Sequence, residues 1–140
     1  MRSLQNTSEL NMIYLTRDEL IEIHHDIIKQ SGGSSGILNP SNILSCIETP
    51  CRTVFGSEVN KTLSEKAAAL VYEVCKSHPF VDGNKRTGYG AADVFLQFNG
   101  YFLDAKKEDA KEMTMELAKC TMDREETVKW ITAHICCLDV

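Results

Sequence analysis

No apolar run in this chain approaches the roughly 18 residues that a membrane-spanning helix needs. Positive charge is also short: the net charge is −5, which argues against broad attachment to nucleic acid or membrane. A local cationic pocket remains compatible with that balance. Metal-knuckle cysteine spacing is missing as well. Cys46, Cys51, Cys75, Cys120, Cys136 and Cys137 form no paired C-x-x-C, and adjacent Cys136 and Cys137 are poorly placed to bridge each other. A reducing cytoplasm, with neither structural disulfides nor structural zinc, is the simpler expectation. The start, Met1 to Asn11, is polar and lacks the apolar segment of a secretory signal. There is no internal repeat and no low-complexity segment.

What is present suits one ordinary domain. A chain of 140 residues buries about two-thirds of its unfolded surface. We expect a flexible leader over residues 1–12 and a single domain over 13–140. Thr16-Arg17-Asp18-Glu19 reads as a capping box that opens a helix to about Gln30, with Leu20, Ile23, Ile27 and Ile28 at helical spacing. The run Ser31-Gly32-Gly33-Ser34-Ser35-Gly36 stops it and reads as a flexible connection. A short helix follows, with Asn39 as cap, Pro40 in the first turn and Pro50 marking the end. Cys51 to Lys61 suits a small extended hairpin around Gly56. Thr62-Leu63-Ser64-Glu65 is a second capping box, opening a helix to about Ser77. The next begins near Asn84 or Lys85 and stops at Asn99-Gly100. Its Gly88 and Gly90 suit a central helix that passes close to other backbone. Asp104 or Asp109 opens a further helix to about Cys120, and Asp123-Arg124-Glu125-Glu126 caps a last one to about Cys136. The expectation is an all-α bundle of about six helices with a small β-hairpin flap.

The chemistry concentrates in His78-Pro79-Phe80-Val81-Asp82-Gly83-Asn84-Lys85-Arg86-Thr87. Pro79 ends the preceding helix and biases His78 toward extended backbone. An ordinary histidine titrates near neutrality and can take a proton. Asp82 is a carboxylate of the kind Mg²⁺ takes beside phosphate oxygens and water. Gly83 lets backbone approach an anion closely, and Asn84 can donate from its amide. Lys85 and Arg86 stand in the first turn of a helix, where the dipole disfavours each by roughly 0.3–1 kcal/mol. A bound phosphate would remove that conflict. Base, metal ligand and phosphate cradle together suggest transfer of a phosphorus group to a hydroxyl. The remaining histidines, His24, His25 and His134, have no ligand spacing and read as surface or core residues. Trp130, Met113, Met115 and Met122 read as core filler.

The string resembles the Fic motif, H-x-F-x-[D/E]-G-N-G-R-x-x-R, and more closely its death-on-curing (Doc) variant, H-x-F-x-D-[A/G]-N-K-R. Tyr14-Leu15-Thr16, the Gly-rich link, Glu65-Lys66-Ala67-Ala68-Ala69 and Asn99-Gly100-Tyr101 also look like the Doc branch, so the resemblance covers most of residues 13–135. It implies that His78 deprotonates the target hydroxyl, that Phe80 anchors the loop, and that Asp82 holds Mg²⁺. It assigns the nucleotide phosphates to Gly83, Asn84, Lys85 and Arg86. Two positions depart from the Fic pattern: Lys85 replaces the second glycine, and Tyr89 stands at the second arginine. That arginine would hold the γ-phosphate when ATP sits for AMP transfer. The Doc branch is associated with a reversed nucleotide and γ-phosphate transfer, with a threonine of translation elongation factor Tu as target. The resemblance therefore implies a cytoplasmic toxin with protein kinase activity, using ATP and Mg²⁺. Fic-type AMP transfer and a non-catalytic nucleotide- or partner-binding module are the alternatives. The hairpin would pair with an extended target segment. No glutamate is followed by Gly or Asn, so the self-inhibitory motif of Fic proteins is missing, and a separate antitoxin is the implied restraint.

Overall fold

A computed structural model describes residues 12–138 of the chain. The expected leader lies outside the described residues, apart from Met12. The order is α1 (Arg17–Ser31), α2 (Pro40–Glu48), a 3-10 turn (Thr49–Cys51), β1 (Thr53–Val54), β2 (Ser57–Glu58), α3 (Leu63–Ser77), α4 (Asn84–Phe98), β3 (Tyr101–Leu103), α5 (Lys107–Ala118), α6 (Arg124–His134) and β4 (Ile135–Cys137). Three helices open on complete capping boxes, Thr16 with Glu19, Thr62 with Glu65 and Asp123 with Glu126. In each, the cap accepts from the third backbone N–H while the glutamate returns the favour to the cap's own N–H.

Helices α3 and α4 form the heart of the bundle, and every other helix packs on one or both of them. Leu70, Val71 and Val74 of α3 and Ala91, Ala92, Phe95 and Leu96 of α4 are buried completely or nearly so. The two helices cross closely at Gly88. A Cβ there would meet the Cys75 Sγ at 3.0 Å and the Val71 carbonyl oxygen at 3.3 Å. Glycine is thus required by the neighbouring backbone, which outweighs its cost of about 1 kcal/mol in a helix interior. Asn99, buried at the end of α4, clasps the chain entry: its side chain accepts from the Ile13 N–H and donates to the Ile13 carbonyl.

The flap forms as expected, with Thr53 paired to Glu58 and Val54 to Ser57 in antiparallel register. Three details differ from the sequence reading. First, α6 ends at His134, and Ile135–Cys137 instead forms a strand against Tyr101–Leu103. Second, neither Asp104 nor Asp109 caps α5, which starts after Lys106 without a side-chain cap. Third, Asn39 stands at the cap position of α2 as read but makes no side-chain cap bond, because its amide is directed to the end of α3. None of the six cysteines is in a disulfide. Burial pushes the Cys46 thiol up to about 11 and the Cys75 thiol up to about 12, as for small apolar fillers. No described helix is long and apolar enough to cross a membrane.

Candidate active site

The motif loop is the turn between the two central helices. Helix α3 ends at Ser77, and His78 after it adopts left-handed backbone (φ 48°, ψ 62°) rather than the extended form that a following proline favours. The reason lies in α2. Asn42 donates from its amide to the Ser77 carbonyl at 2.7 Å, and Asn39 donates to the His78 carbonyl at 3.1 Å. These bonds satisfy the helix end and hold a conformation costing about 1–2 kcal/mol. His78 itself is exposed.

Beyond Pro79 the chain dives inward. Phe80 is fully buried, and Asn84 ties the turn together from the first residue of α4. Its Oδ1 accepts from the Phe80 N–H at 3.0 Å, while its Nδ2 donates to the Phe80 carbonyl at 2.9 Å. The same Nδ2 lies 3.5 Å from His78 Nδ1, a contact too long to fix the imidazole tautomer. Asn84 therefore links the candidate base to the start of the helix. Gly83, with φ 77°, turns the chain into α4 without a side-chain cap, so the opening N–H groups of that helix have no side-chain acceptor from the cap residue.

The Gly-rich segment is part of this site rather than a flexible connection. Residues 36–39 run beside the loop: Pro79's carbonyl accepts from Leu38 and Asn39, Val81 donates to Gly36, and Ile37 bridges Phe80. The Ser34 N–H donates to Asp82 Oδ2 at 3.0 Å, and the Gly83 N–H donates to Asp82 Oδ1 at 2.8 Å. These two bonds, helped by the charges of Arg86 and Lys85, hold the exposed Asp82 carboxyl below the usual aspartate range. An exposed, ionised carboxylate beside a helix N-terminus fits Mg²⁺, which takes one or two carboxylates and draws its other ligands from phosphate and water. Among the described residues no group of three or more His, Cys, Asp or Glu is arranged to cage a metal alone.

The two cations differ. Arg86 is exposed but fastened to the end of α1, donating to Ser31 Oγ and, at 2.9 Å, to the Gly32 carbonyl. It thus escapes the unfavourable end of α4 by reaching the favourable end of α1. Lys85 is exposed and takes part in neither of the ion pairs found among the described residues. Tyr89, one turn on, is half-buried and meets Trp130 edge-on at 6.2 Å. Burial, then the charges of Asp93 and Asp104, push its phenol up to about 12, so it stays neutral.

Sequence reasoning passed over His24, Asn39, Asn42 and the backbone of Ser34. Each reaches the loop across more than 30 residues of chain, and the signal was only indirect. It was a run of small residues and a pair of asparagines flanking Pro40.

The helical bundle thus presents a histidine, a carboxylate and two cations at one turn between its central helices. The chain belongs to the Fic/Doc family: the Fic/DOC family model matches residues 14–96, more than half its length. It is Doc-like. It is 34% identical over 96 residues to Toxin Doc of Mycolicibacterium smegmatis (strain ATCC 700084 / mc(2)155), a match spanning 66% of this chain and 74% of that protein. It is 32% identical over 89 residues to Protein kinase doc of Escherichia phage P1, spanning 64% of this chain and 70% of that one.

Proposed function

We propose that this chain is a Doc-type toxin that transfers the γ-phosphate of ATP to a serine or threonine hydroxyl of a target protein. The observation that carries the reading is Asn84, which ties the Phe80 backbone to the first turn of α4 and lies 3.5 Å from the His78 ring. A base and a phosphate seat held on one turn meet the positioning requirement of phosphoryl transfer. His78 takes the proton of the target hydroxyl. The hydroxyl oxygen bonds to the γ-phosphorus, the bond from that phosphorus to the bridging oxygen breaks, and ADP leaves with the electron pair. The N–H groups opening α4 and the Lys85 ammonium hold phosphate oxygens. Arg86, beside Asp82, contributes charge from its fastened position. Mg²⁺, held by Asp82, supplies neutralisation of phosphate charge when bound.

Tyr89 supports γ-transfer over AMP transfer, since a neutral, half-buried phenol offers no charge where an AMP-transferring seat needs a cation. The flap supports a protein substrate: Thr53, Val54 and Ser57 of its two short strands are exposed, which leaves room for a further strand edge to edge. Elongation factor Tu is the target the family suggests, and an antitoxin, the relative's counterpart in a toxin pair, is the expected partner in the cytoplasm.

The test is transfer from ATP labelled at the α or the γ position, with cell extract and purified elongation factor Tu as acceptors. Label from γ alone supports the kinase, and label from α alone replaces it with AMP transfer. Label from neither leaves a binding module. His78→Ala should remove the signal by about 10²-fold or more.

A further inference from the structure

The Asp82–Gly83 peptide is held from both sides. Its N–H donates to Asp82 Oδ1, and its carbonyl accepts a 2.8 Å hydrogen bond from His24 Nε2 on α1. A carbonyl oxygen only accepts, so the His24 proton sits on Nε2. His24 is 4% exposed, and its ring lies flat on Phe80, with centroids 3.8 Å apart and planes 3° from parallel. The turn is pressed hard against α1: a Cβ at Gly83 would meet the Ile28 Cδ1 at 3.0 Å and the His24 Nε2 at 3.7 Å.

The choice of residue is informative. A leucine or phenylalanine would fill this space and cover Phe80, but would leave the Asp82 carbonyl without its donor. A glutamine would offer the donor without the flat face. The His24 imidazole does both from one position on α1. If the Asp82–Gly83 peptide rotated, the His24 bond and the Gly83-to-carboxylate bond would break together. The carboxylate would then lose one of the two bonds that orient it.

We infer that His24 is a positioning residue of the nucleotide site: through the Asp82–Gly83 peptide it sets the direction of the Asp82 carboxylate and of the turn that opens α4. This rests on the nucleotide reading above, and the donor hydrogen bond rather than the ring's bulk carries it. His24 touches no reacting atom.

Two variants of the full chain separate donor from bulk. His24→Phe keeps a ring on Phe80 without the N–H, and His24→Gln keeps an amide N–H near the same point without the ring. Amide hydrogen exchange over residues 79–86, measured without ligand, reads the turn directly. Calorimetry with ATP at fixed Mg²⁺ reads the site, and far-UV circular dichroism checks the helices. His24→Phe should speed exchange and weaken Mg²⁺-dependent ATP uptake, each by about tenfold, with helicity unchanged. His24→Gln should recover most of both. His24→Phe indistinguishable from wild type, or His24→Gln failing as badly as His24→Phe, overturns the inference. If the wild-type chain takes up no ATP with Mg²⁺ while the exchange difference persists, the nucleotide reading falls and the hold of His24 on the turn stands.

Discussion

The motif loop and the flap are both short segments fastened by buried polar side chains of neighbouring helices, yet they are fastened at opposite ends. The loop is held at its tip: Phe80 is sunk in the core, with His24 stacked on it and Asn84 closing it. The flap is held at its base. There the Lys66 ammonium, almost completely buried, donates to the Pro50 carbonyl at 3.2 Å, the Asn60 carbonyl at 2.7 Å and the Glu58 carboxylate at 2.7 Å. Its tip, Phe55-Gly56, stands in solvent. A loop that aligns reacting atoms needs a fixed tip, whereas a flap that accepts another chain needs a free edge. Under the proposed function, α1 and α4 would serve the first task and α3 the second.

The largest effect should come from Phe80→Ala. Deleting a fully buried phenyl from the core should cost about 4 kcal/mol and lower Tm by more than roughly 10 °C, read by thermal unfolding. A fall in Tm comparable to that of an exposed residue would mean the loop tip is not anchored as described.

Lys66→Met tests the other fastening. Losing the ammonium strands two buried carbonyls and leaves Glu58, itself mostly buried, without its partner, for a cost of about 3 kcal/mol. The comparison requires that exchange at Val59 and Asn60 accelerate while uptake of ATP with Mg²⁺ is unchanged. Equal damage to nucleotide binding would erase the division between the two regions. The charge also gives a pH signature. Burial opposes the ammonium, but hydrogen bonds and charge from Glu58 and Tyr14 outweigh it and raise its pKa. A cation with a raised folded pKa stabilises fully below the ordinary lysine value and loses that contribution as pH rises through the folded value. Tyr14, which faces it, is raised chiefly by burial and acts in the same direction. Once corrected for its intrinsic base catalysis, exchange in the flap should therefore accelerate above about pH 10.4 in the wild type, and less steeply in Lys66→Met, where Tyr14 alone still contributes.

A smaller loss is expected from Asn42→Ala. Removing the 2.7 Å bond to the Ser77 carbonyl should cost about 1 kcal/mol in stability. Because His78 would relax toward extended backbone, kcat for target phosphorylation should fall more than the KM for ATP rises. A change confined to the KM for ATP would place Asn42 outside the support of His78.

Much of this comparison was legible in sequence, and the remainder failed for a common reason. Capping boxes at Thr16, Thr62 and Asp123 are local signals, so three helix starts were readable, and the motif announced its own turn. Phe80 and Asp82 stand inside that motif and were readable for the same reason. His24, Asn39, Asn42 and Ser34 act through contacts to the loop across dozens of residues, and nothing local distinguishes a pinning histidine from a surface one. The pairing of Ile135–Cys137 with Tyr101–Leu103 was missed because a helical pattern ran on through His134. Lys66 sat in an apolar helix face, where its charge gave no hint of the three acceptors brought to it by the flap base.

The last effect on stability concerns the flap tip, and its sign is the informative part. Phe55 and Gly56 both have positive φ, 51° and 81°, at the centre of a two-residue hairpin turn. Such turns favour Asn-Gly, and a bulky residue at positive φ costs about 1–2 kcal/mol. Phe55 gains nothing in return from burial, since its ring is fully exposed. Phe55→Asn should therefore stabilise the chain by about 1 kcal/mol and raise Tm slightly. If the ring is kept there to meet a protein substrate, the same change should raise the KM for the target by about tenfold and leave the KM for ATP alone. A chain that is more stable and equally able to phosphorylate its target would show that the flap is an ordinary surface hairpin, and the contrast with the motif loop would reduce to packing.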